Sequence, residues 1–488
     1  MAKRKSGALL TLIRIDRVGG APLSRQIEEP LRSAILAGSL PGGTRLPSSR
    51  ALAADLGVSR QTVVQVLESL AAEGFLEMRR GSGTFVAATI PQHLPQRLAS
   101  PAGATAASAV SGLGRRFAAT GIGYDPAESR PFLPNSPAYD RFPFALWQKY
   151  VTRQGRQAWR GAMSYGDPAG YAPLRRAIAE YLALHRSDAC DPEQIVITAG
   201  GHAAFMIATL LLTDPGDGLL FEDPGPLVAR KLFESLGRRL VHVPVDDEGM
   251  VLAEAEGSGA RMAFVMPSRQ HPMGRSMSLV RRLQLLDWAN AGDAWILEDD
   301  YDSEFRYTGR PLPSIRSIDG GGRVIYVGTF SKALFPALRL GYLVLPPGLV
   351  GMFRNAMALM FRSAPLASQM ALAGFIADGH FTSHLRRMRE LYAERRQAFL
   401  DVAGRCGGSF RVEIPDSGMN AIAWLADGRD DREAARRAAG AGVHGYALAD
   451  YCARPYPRQG LLLGFTGVAP HQLAPGLEAL ARVLSRGA

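Results

Sequence analysis

Five short apolar runs alternate with segments of helical periodicity in the second part of this 488-residue chain. Alternation of this kind predicts an α/β fold with a mainly parallel sheet and helices on both of its faces. The runs are residues 194–198, 218–222, 262–266, 294–298 and 324–328, and the helical segments include 203–212 and 278–291. Because the chain is longer than one core normally holds, we expect at least two domains, one of them large.

Several classes of protein are excluded by the composition. The longest apolar runs are far shorter than the roughly 20 residues that span a bilayer. The apolar patch after the basic first five residues is too brief for a secretory signal, so we expect a cytoplasmic protein without a membrane segment. Cys190, Cys406 and Cys452 are widely spaced, which predicts reduced thiols and no metal site.

The positive charge of the chain is concentrated near its start. Residues 1–88 contain 12 lysines and arginines against 7 aspartates and glutamates, within a formal net charge of +11. A local excess of this sign favours a polyanionic partner such as DNA.

Residues 1–87 read as a winged helix-turn-helix domain, helical with a small β wing and a core over 23–86. Helical spacing covers 23–37, and Ser48 and Ser59 are predicted to cap two further helices that a glycine-containing turn joins. Two short strand-like pieces, 75–79 and 84–86, enclose a basic tip and predict a hairpin wing.

Seven residues of this domain are predicted to contact double-stranded DNA. Small hydroxyl and guanidinium side chains at the start of the third helix suit phosphates and base edges in the major groove. The predicted contacts are Arg50, Ser59, Arg60, Gln61, Thr62, Arg80 and Gly81. The alternative is a three-helix interaction module with a solvated basic face. Residues 88–123, rich in Ala, Gly, Pro and Ser, are predicted to be a flexible linker before a large domain over 124–488.

One lysine in the large domain has three interpretations. Lys332 follows the apolar run 324–328, and it could be a buried charge paired with a carboxylate, a phosphate ligand or a Schiff-base lysine. A site for pyridoxal 5'-phosphate needs a lysine for the aldehyde and an acid for the pyridine nitrogen, and Asp299 stands at the end of a buried strand. Gly200, Gly201 and His202, between a strand and a helix, offer N–H groups for a phosphate. Arg339 offers a countercharge.

Both halves of the chain resemble known families. Residues 40–50, 56–60, 72–76 and 81–86 resemble the GntR-type winged helix, with Leu67 where a tyrosine is usual. The motifs YGDPAG at 165–170, EDPG at 222–225, EDDYDSEFRY at 298–307 and GTFSKALFPALRLGY at 328–342 resemble the fold-type-I aminotransferase domain of MocR regulators. That resemblance implies Lys332 as the catalytic Schiff-base lysine, Asp299 at the pyridine nitrogen and Tyr301 near the 3-hydroxyl. It also implies Thr329 and Arg339 at the phosphate.

The chain departs from the aminotransferase pattern at several positions. Pro226 replaces a tyrosine that stacks on the cofactor, and His271 replaces an asparagine and is a candidate cofactor contact. His202 is a candidate for packing or capping as well as for the cofactor. Leucines, Leu461 among them, occupy the region where aminotransferases carry the arginine that binds a substrate carboxylate, and Arg458 is a weak substitute.

These resemblances imply a transcription regulator whose aminotransferase-like domain binds pyridoxal phosphate through a lysine aldimine. It would sense the cofactor, a vitamin B6 compound, or an amine or amino-acid effector, as a head-to-tail homodimer. We expect no physiological amino-acid turnover and leave open a residual transaminase half-reaction. Two alternatives stay open: an active aminotransferase with an accessory DNA-binding domain, and a DNA binder with a degenerate, cofactor-free dimerisation domain.

Overall fold

The computed structural model describes residues 13, 15–16, 21–79, 81–88, 110–122, 130–158, 165–309, 313–426 and 429–485. Its contacts divide the chain into two compact units, residues 1–108 and 109–488. Of the predicted DNA contacts, Arg80 lies outside the described residues. No described helix is long and apolar enough to cross a membrane.

The described residues of the first unit form three helices and a two-stranded antiparallel hairpin, which confirms the predicted winged helix. Its elements are α1 (Leu23–Leu36), α2 (Ser49–Leu56), α3 (Arg60–Ala72), β1 (Leu76–Arg79) and β2 (Gly83–Val86). The Oγ atoms of Ser48 and Ser59 accept the N–H groups of Ala51 and Thr62 and so cap α2 and α3. Between them Gly57 ends α2 in the left-handed conformation, with a φ of 64°, which glycine adopts without a Cβ penalty. Apolar side chains at helical spacing form one small core under the three helices.

The second unit is built on an eight-stranded sheet with the order β3-β10-β9-β8-β7-β4-β5-β6. Its strands are β3 (Ile195–Thr198), β4 (Gly218–Asp223), β5 (Arg239–Asp246), β6 (Gly249–Met250), β7 (Ala260–Val265), β8 (Trp295–Asp300), β9 (Val324–Thr329) and β10 (Gly341–Val344). The pairs β4·β5, β4·β7, β7·β8 and β8·β9 are parallel, whereas β10 runs antiparallel to both β3 and β9. The predicted mainly parallel sheet is therefore confirmed.

Helices cover the sheet and extend from it. They are α4 (Gly112–Ala118), α5 (Phe144–Ala158), α6 (Ala172–Arg186), α7 (Gly201–Leu212), α8 (Leu227–Ser235), α9 (Leu279–Ala291), α10 (Val350–Met360), α11 (Leu366–Ala377) and α12 (His380–Arg405). Two buried apolar clusters that share the strands of the sheet lie among these helices.

A smaller four-stranded antiparallel sheet closes the unit. Its strands, in the order β11-β12-β14-β13, are β11 (Phe410–Glu413), β12 (Asn420–Leu425), β13 (Tyr446–Ala447) and β14 (Gly460–Gly464). The helices α13 (Asp431–Gly440) and α14 (Pro470–Ser485) pack with it around a third cluster.

The end of the predicted flexible linker is instead ordered and belongs to the second unit. Residues 112–118 form α4, whose N-terminus is capped by Ser111 through the N–H of Gly114. The Arg116 side chain donates from Nε to the carbonyl of Ser235 at 2.8 Å. Composition alone suggested a linker because a seven-residue helix with two glycines has little intrinsic stability. Tertiary contacts hold it.

Candidate cofactor site and nucleic-acid interface

Lys332 lies in the turn that follows β9, at the edge of the sheet where the parallel strands end. Its Nζ donates to the main-chain oxygen of Asn135 at 3.1 Å. Burial lowers the pKa of Lys332, and the carboxyl groups of Asp302 and Asp299 oppose that shift. A lowered pKa increases the share of neutral amine, which is the nucleophilic form of a lysine.

Asp299 occupies the neighbouring strand β8, where its backbone pairs with Val327 of β9. The residue is 9% exposed. Burial raises the pKa of Asp299 well above its ordinary value, and the nearby acids Asp300 and Asp302 raise it further. A cationic or N–H partner would stabilise the carboxylate form of such a buried group.

His271 is a neutral imidazole in this region. Burial lowers the pKa of His271 to about 3, and the positive charges of Arg269 and Lys332 act in the same direction. Its ring packs edge-to-face on Tyr301, with centroids 5.9 Å apart, and on Tyr451, at 5.1 Å. Its buried Nδ1 has no hydrogen-bond partner among the described residues. Such an atom is suited to a ligand.

Arg269 is a site residue that the sequence reasoning missed. It is 2% exposed and donates from Nη1 to the Tyr301 hydroxyl at 2.9 Å and to Asp302 Oδ2 at 3.0 Å. One feature of the sequence could have identified Arg269: it stands four residues after β7, at the same sheet edge as Asp299. The identity of its partners depends on contacts more than 30 residues away along the chain.

The turn before α7 forms a cradle with the segment that carries Arg339. Gly200 precedes α7 with a φ of 88°, and a Cβ there would lie 3.6 Å from the guanidinium carbon of Arg339. Gly341 pairs with both Thr198 and Thr329, which brings the two threonines to one edge. The first N–H groups of a helix attract anions, so this cradle suits a phosphate.

The remaining predicted cofactor residues lie around that cradle. Thr329 Oγ1 accepts the N–H of Ser331 at 3.3 Å. Gly201 is the first residue of α7, and the ring of His202 packs edge-to-face on Phe205 at 5.6 Å. Desolvation lowers the pKa of His202, as do the charges of Arg339 and Lys332. The structure therefore brings the cradle and the lysine together.

The N-terminus of α3 carries the other group of predicted contacts. Ser59 is held by its cap and by a 2.7 Å hydrogen bond to the Thr62 hydroxyl. Arg50, Arg60 and Gln61 are exposed, as is Gly81 in the hairpin turn. Exposed donors at a helix N-terminus are available to phosphates and base edges.

Two arginines that the sequence reasoning missed lie at the wing: Arg79 ends β1, and Arg45 belongs to the segment between α1 and α2. The guanidinium carbons of Arg45 and Arg79 lie 5.9 and 4.8 Å from the ring centroid of Phe85. Both cations are thus positioned by one aromatic ring on the hairpin. An isolated β-bridge between Arg45 and Phe85 fixes the first.

Comparisons with known proteins agree with this architecture. Residues 23–86 match the bacterial regulatory proteins of the gntR family, and residues 138–436 match aminotransferase class I and II. The chain is 39% identical to the probable rhizopine catabolism regulatory protein MocR of Rhizobium meliloti, over 96% of this chain and 94% of that protein. The chain belongs to the MocR-type regulators of the GntR superfamily.

Other relatives match either both halves of this chain or its second half alone. A pyridoxine biosynthesis transcriptional regulator of Corynebacterium glutamicum is 30% identical over 90% of this chain and 91% of its own. The crystal structure of LysN, an α-aminoadipate aminotransferase from Thermus thermophilus complexed with N-(5'-phosphopyridoxyl)-L-leucine, superposes with a TM-score of 0.71. It is 26% identical and covers 78% of this chain and 99% of its own. These matches make the chain a DNA-binding transcriptional regulator with an aminotransferase-like domain of fold type I.

The structure places several of the residues at which this MocR-type chain is predicted to depart from the aminotransferase pattern. Pro226 directly precedes α8 as its N-cap residue. Leu461 belongs to the cluster under the small sheet. Its neighbour Leu462 instead faces a second cluster with Met273. Arg458 stacks on the ring of Trp424, with its guanidinium carbon 3.8 Å from the centroid.

Among the residues that the structure describes, no cluster of His, Cys, Asp and Glu is arranged to hold a metal ion.

Proposed function

We propose that this regulator binds pyridoxal 5'-phosphate at Lys332 and uses the bound cofactor to sense an amine effector. The observation that carries the proposal is the placement of a lysine of lowered pKa and a buried carboxyl of raised pKa at the ends of adjacent parallel strands. Perturbed groups that converge at a sheet edge are typical of functional sites.

The residues present fit the chemical groups of this cofactor. A Cβ at position 200 would lie in van der Waals contact with the guanidinium group of Arg339, so Gly200 leaves that contact to an anion. The unpartnered Nδ1 of His271, with the Tyr301 hydroxyl, suits the 3-hydroxyl. Asp299 suits the ring nitrogen. When bound, the cofactor supplies an aldehyde that bonds covalently to an amine and a ring that accepts electrons.

The effector would compete with Lys332 for the cofactor aldehyde. The protein would offer the carboxylate of an amino-acid effector no arginine like that of aminotransferases. On β14, where that arginine is expected, Leu462 instead forms an apolar cluster with Met273. We therefore favour recognition through the amine and an apolar body. Vitamin B6 compounds are the other effector class, since they compete for the same cradle.

Regulation requires that the effector bind two arrangements of the protein with different affinity. We infer a head-to-tail homodimer in the cytoplasm, with two winged helices on separated DNA half-sites. Each winged helix would present Arg60, Gln61 and Thr62 to the major groove, with Ser59 and Arg50 on the backbone. Arg80 and Gly81 would contact the backbone from the wing.

The test is an absorbance titration of the purified full chain with pyridoxal phosphate. We expect a visible band in the wild type and in the control K149A, whose lysine is exposed on α5, and no band in K332A. DNA binding is measured in parallel by fluorescence anisotropy, with and without a panel of amines.

A band that persists in K332A contradicts the assignment of Lys332. If no variant gives a band while DNA is still bound, the second unit is a cofactor-free dimerisation domain. Turnover of amino acids by the wild type would instead favour an active aminotransferase.

A further inference from the structure

A second polar cavity lies beside the candidate cofactor site in the large unit. Its volume is about 40 Å³, and four arginines and four serines line it. The arginines are Arg186, Arg269, Arg282 and Arg306. None of the residues predicted to hold the cofactor lines it, and Arg269 connects the two regions through Tyr301.

Two of the four guanidinium groups are neutralised by carboxylates. Arg186 donates from Nη2 to Asp300 Oδ2 at 2.7 Å. Arg269 donates to Asp302 Oδ2 at 3.0 Å. Each of these pairs is almost completely buried, with side chains at most 6% exposed.

The other two guanidinium groups form no ion pair within the described part of the chain. Arg282 is fully buried, and it donates only to the main-chain oxygens of Met277, Pro267 and Pro313. Arg306 is half-buried and donates from Nε to the carbonyl of Thr308 at 2.8 Å. The cavity wall therefore carries two positive charges beyond its paired carboxylates.

Further buried acids compensate this excess only in part. Burial raises the pKa of Glu304 to about 8, so this acid is mostly neutral at pH 7. Burial raises the pKa of Glu298 to about 7, and both of its oxygens accept main-chain N–H groups, from Ile315 and Arg316. A buried cation whose partner is missing destabilises the folded state.

Buried donors remain available at the cavity. The Nε of Arg186 is buried and has no hydrogen-bond partner among the described residues, and the residue is 8% exposed. The Ser268 hydroxyl accepts a hydrogen bond from Arg186 at 3.1 Å, which leaves its own proton for a ligand. Guanidinium and hydroxyl donors around an enclosed space form the recognition chemistry of an anion.

We propose that this cavity binds one small inorganic anion, which neutralises the unpaired arginines. A water molecule needs roughly 10–15 Å³ of such enclosed space, so the cavity of about 40 Å³ has room for one small anion. Chloride and phosphate share the required chemistry. The proposal does not depend on the cofactor, because the site is complete in the cofactor-free chain.

The test follows thermal unfolding of the cofactor-free full chain by tryptophan fluorescence. All five tryptophans lie in residues 109–488, so the signal reports on the large unit alone. Sodium gluconate is exchanged for sodium chloride, or for sodium phosphate, at constant ionic strength and pH. We expect the melting temperature to rise with chloride, phosphate or both, and the rise to follow RT ln(1 + [L]/Kd) for one site.

The matched variants are R306Q and R411Q. Both remove one arginine charge, but Arg411 is exposed on β11 and does not line the cavity. We expect R306Q to weaken the anion response at least tenfold in apparent Kd and R411Q to leave it unchanged. A response that is the same in both variants, or equal melting temperatures in all three salts, overturns the proposal. A response that R306Q weakens identifies a halide site if chloride alone evokes it, and an oxyanion site if phosphate alone does. A phosphate response that R306Q leaves unchanged arises elsewhere, such as the cradle at Gly200 and Arg339.

Discussion

Replacing Glu222 by glutamine should stabilise the large unit increasingly as the pH rises. Glu222 lies on β4, is 1% exposed, and has an Oε1 without a hydrogen-bond partner among the described residues. Its Oε2 accepts a long hydrogen bond of 3.4 Å from Gln270. Burial raises the pKa of Glu222 from 4.5 to about 8, against the opposing hydrogen bonds of Met266 and Gln270.

The magnitude follows from proton linkage. Because the folded-state pKa is raised, the folded chain keeps a proton that the unfolded chain releases above about pH 4.5. The contribution of Glu222 to stability is therefore complete below that pH and is lost as the pH rises through about 8. One pH unit corresponds to about 1.4 kcal/mol, so the loss from pH 5 to pH 8 is at most about 4 kcal/mol. Glutamine does not titrate and escapes this loss.

The assay is guanidinium unfolding of the wild type, E222Q and the control E390Q at pH 5 and pH 8, followed by tryptophan fluorescence. Glu390 is exposed on α12, so its replacement should change both free energies of unfolding by no more than about 0.5 kcal/mol. We expect E222Q to exceed the wild type by more at pH 8 than at pH 5. An equal difference at the two pH values would refute the assignment of a raised pKa to Glu222.

Two further substitutions separate the roles of the two units. D299N should raise the melting temperature of the cofactor-free chain at pH 8, because it removes a buried carboxyl of raised pKa. In an absorbance titration it should also weaken pyridoxal phosphate binding at least tenfold. Unchanged affinity would contradict the role of Asp299. S59A should remove the cap of α3 and lower the stability of the winged helix by about 1 kcal/mol. In fluorescence anisotropy it should weaken binding to all DNA sequences, whereas the S111A control should leave DNA binding unchanged.

The sequence predicted those parts of the fold that local patterns determine. The run 218–222 became β4 (Gly218–Asp223), one residue longer than predicted. Ser48 and Ser59 cap their helices as expected, because a serine before an apolar period satisfies an N–H of the first turn. Apolar periodicity and capping are local properties, so they are readable without the tertiary structure.

Long-range pairing accounts for what the sequence reasoning missed. The helix α4 depends on the bond from Arg116 to Ser235, 119 residues away. The role of Arg269 depends on Tyr301 and Asp302. A single sequence shows that an arginine follows a strand, but the strand order determines which carboxyl group it faces.

The electrostatics of the sheet edge argue for a ligand rather than for structural stability. Asp299 and Glu222 are both buried acids whose pKa values are raised by burial, and each would be replaced by an apolar residue at less cost if packing were its only task. The raised pKa of Asp299 favours the protonated carboxyl group in the empty site. That proton is available to a ring nitrogen placed against it, and the resulting ion pair would relieve the desolvation that raises the pKa. Binding of such a ring should therefore proceed with little net proton uptake from solvent, whereas in D299N the proton would have to come from water.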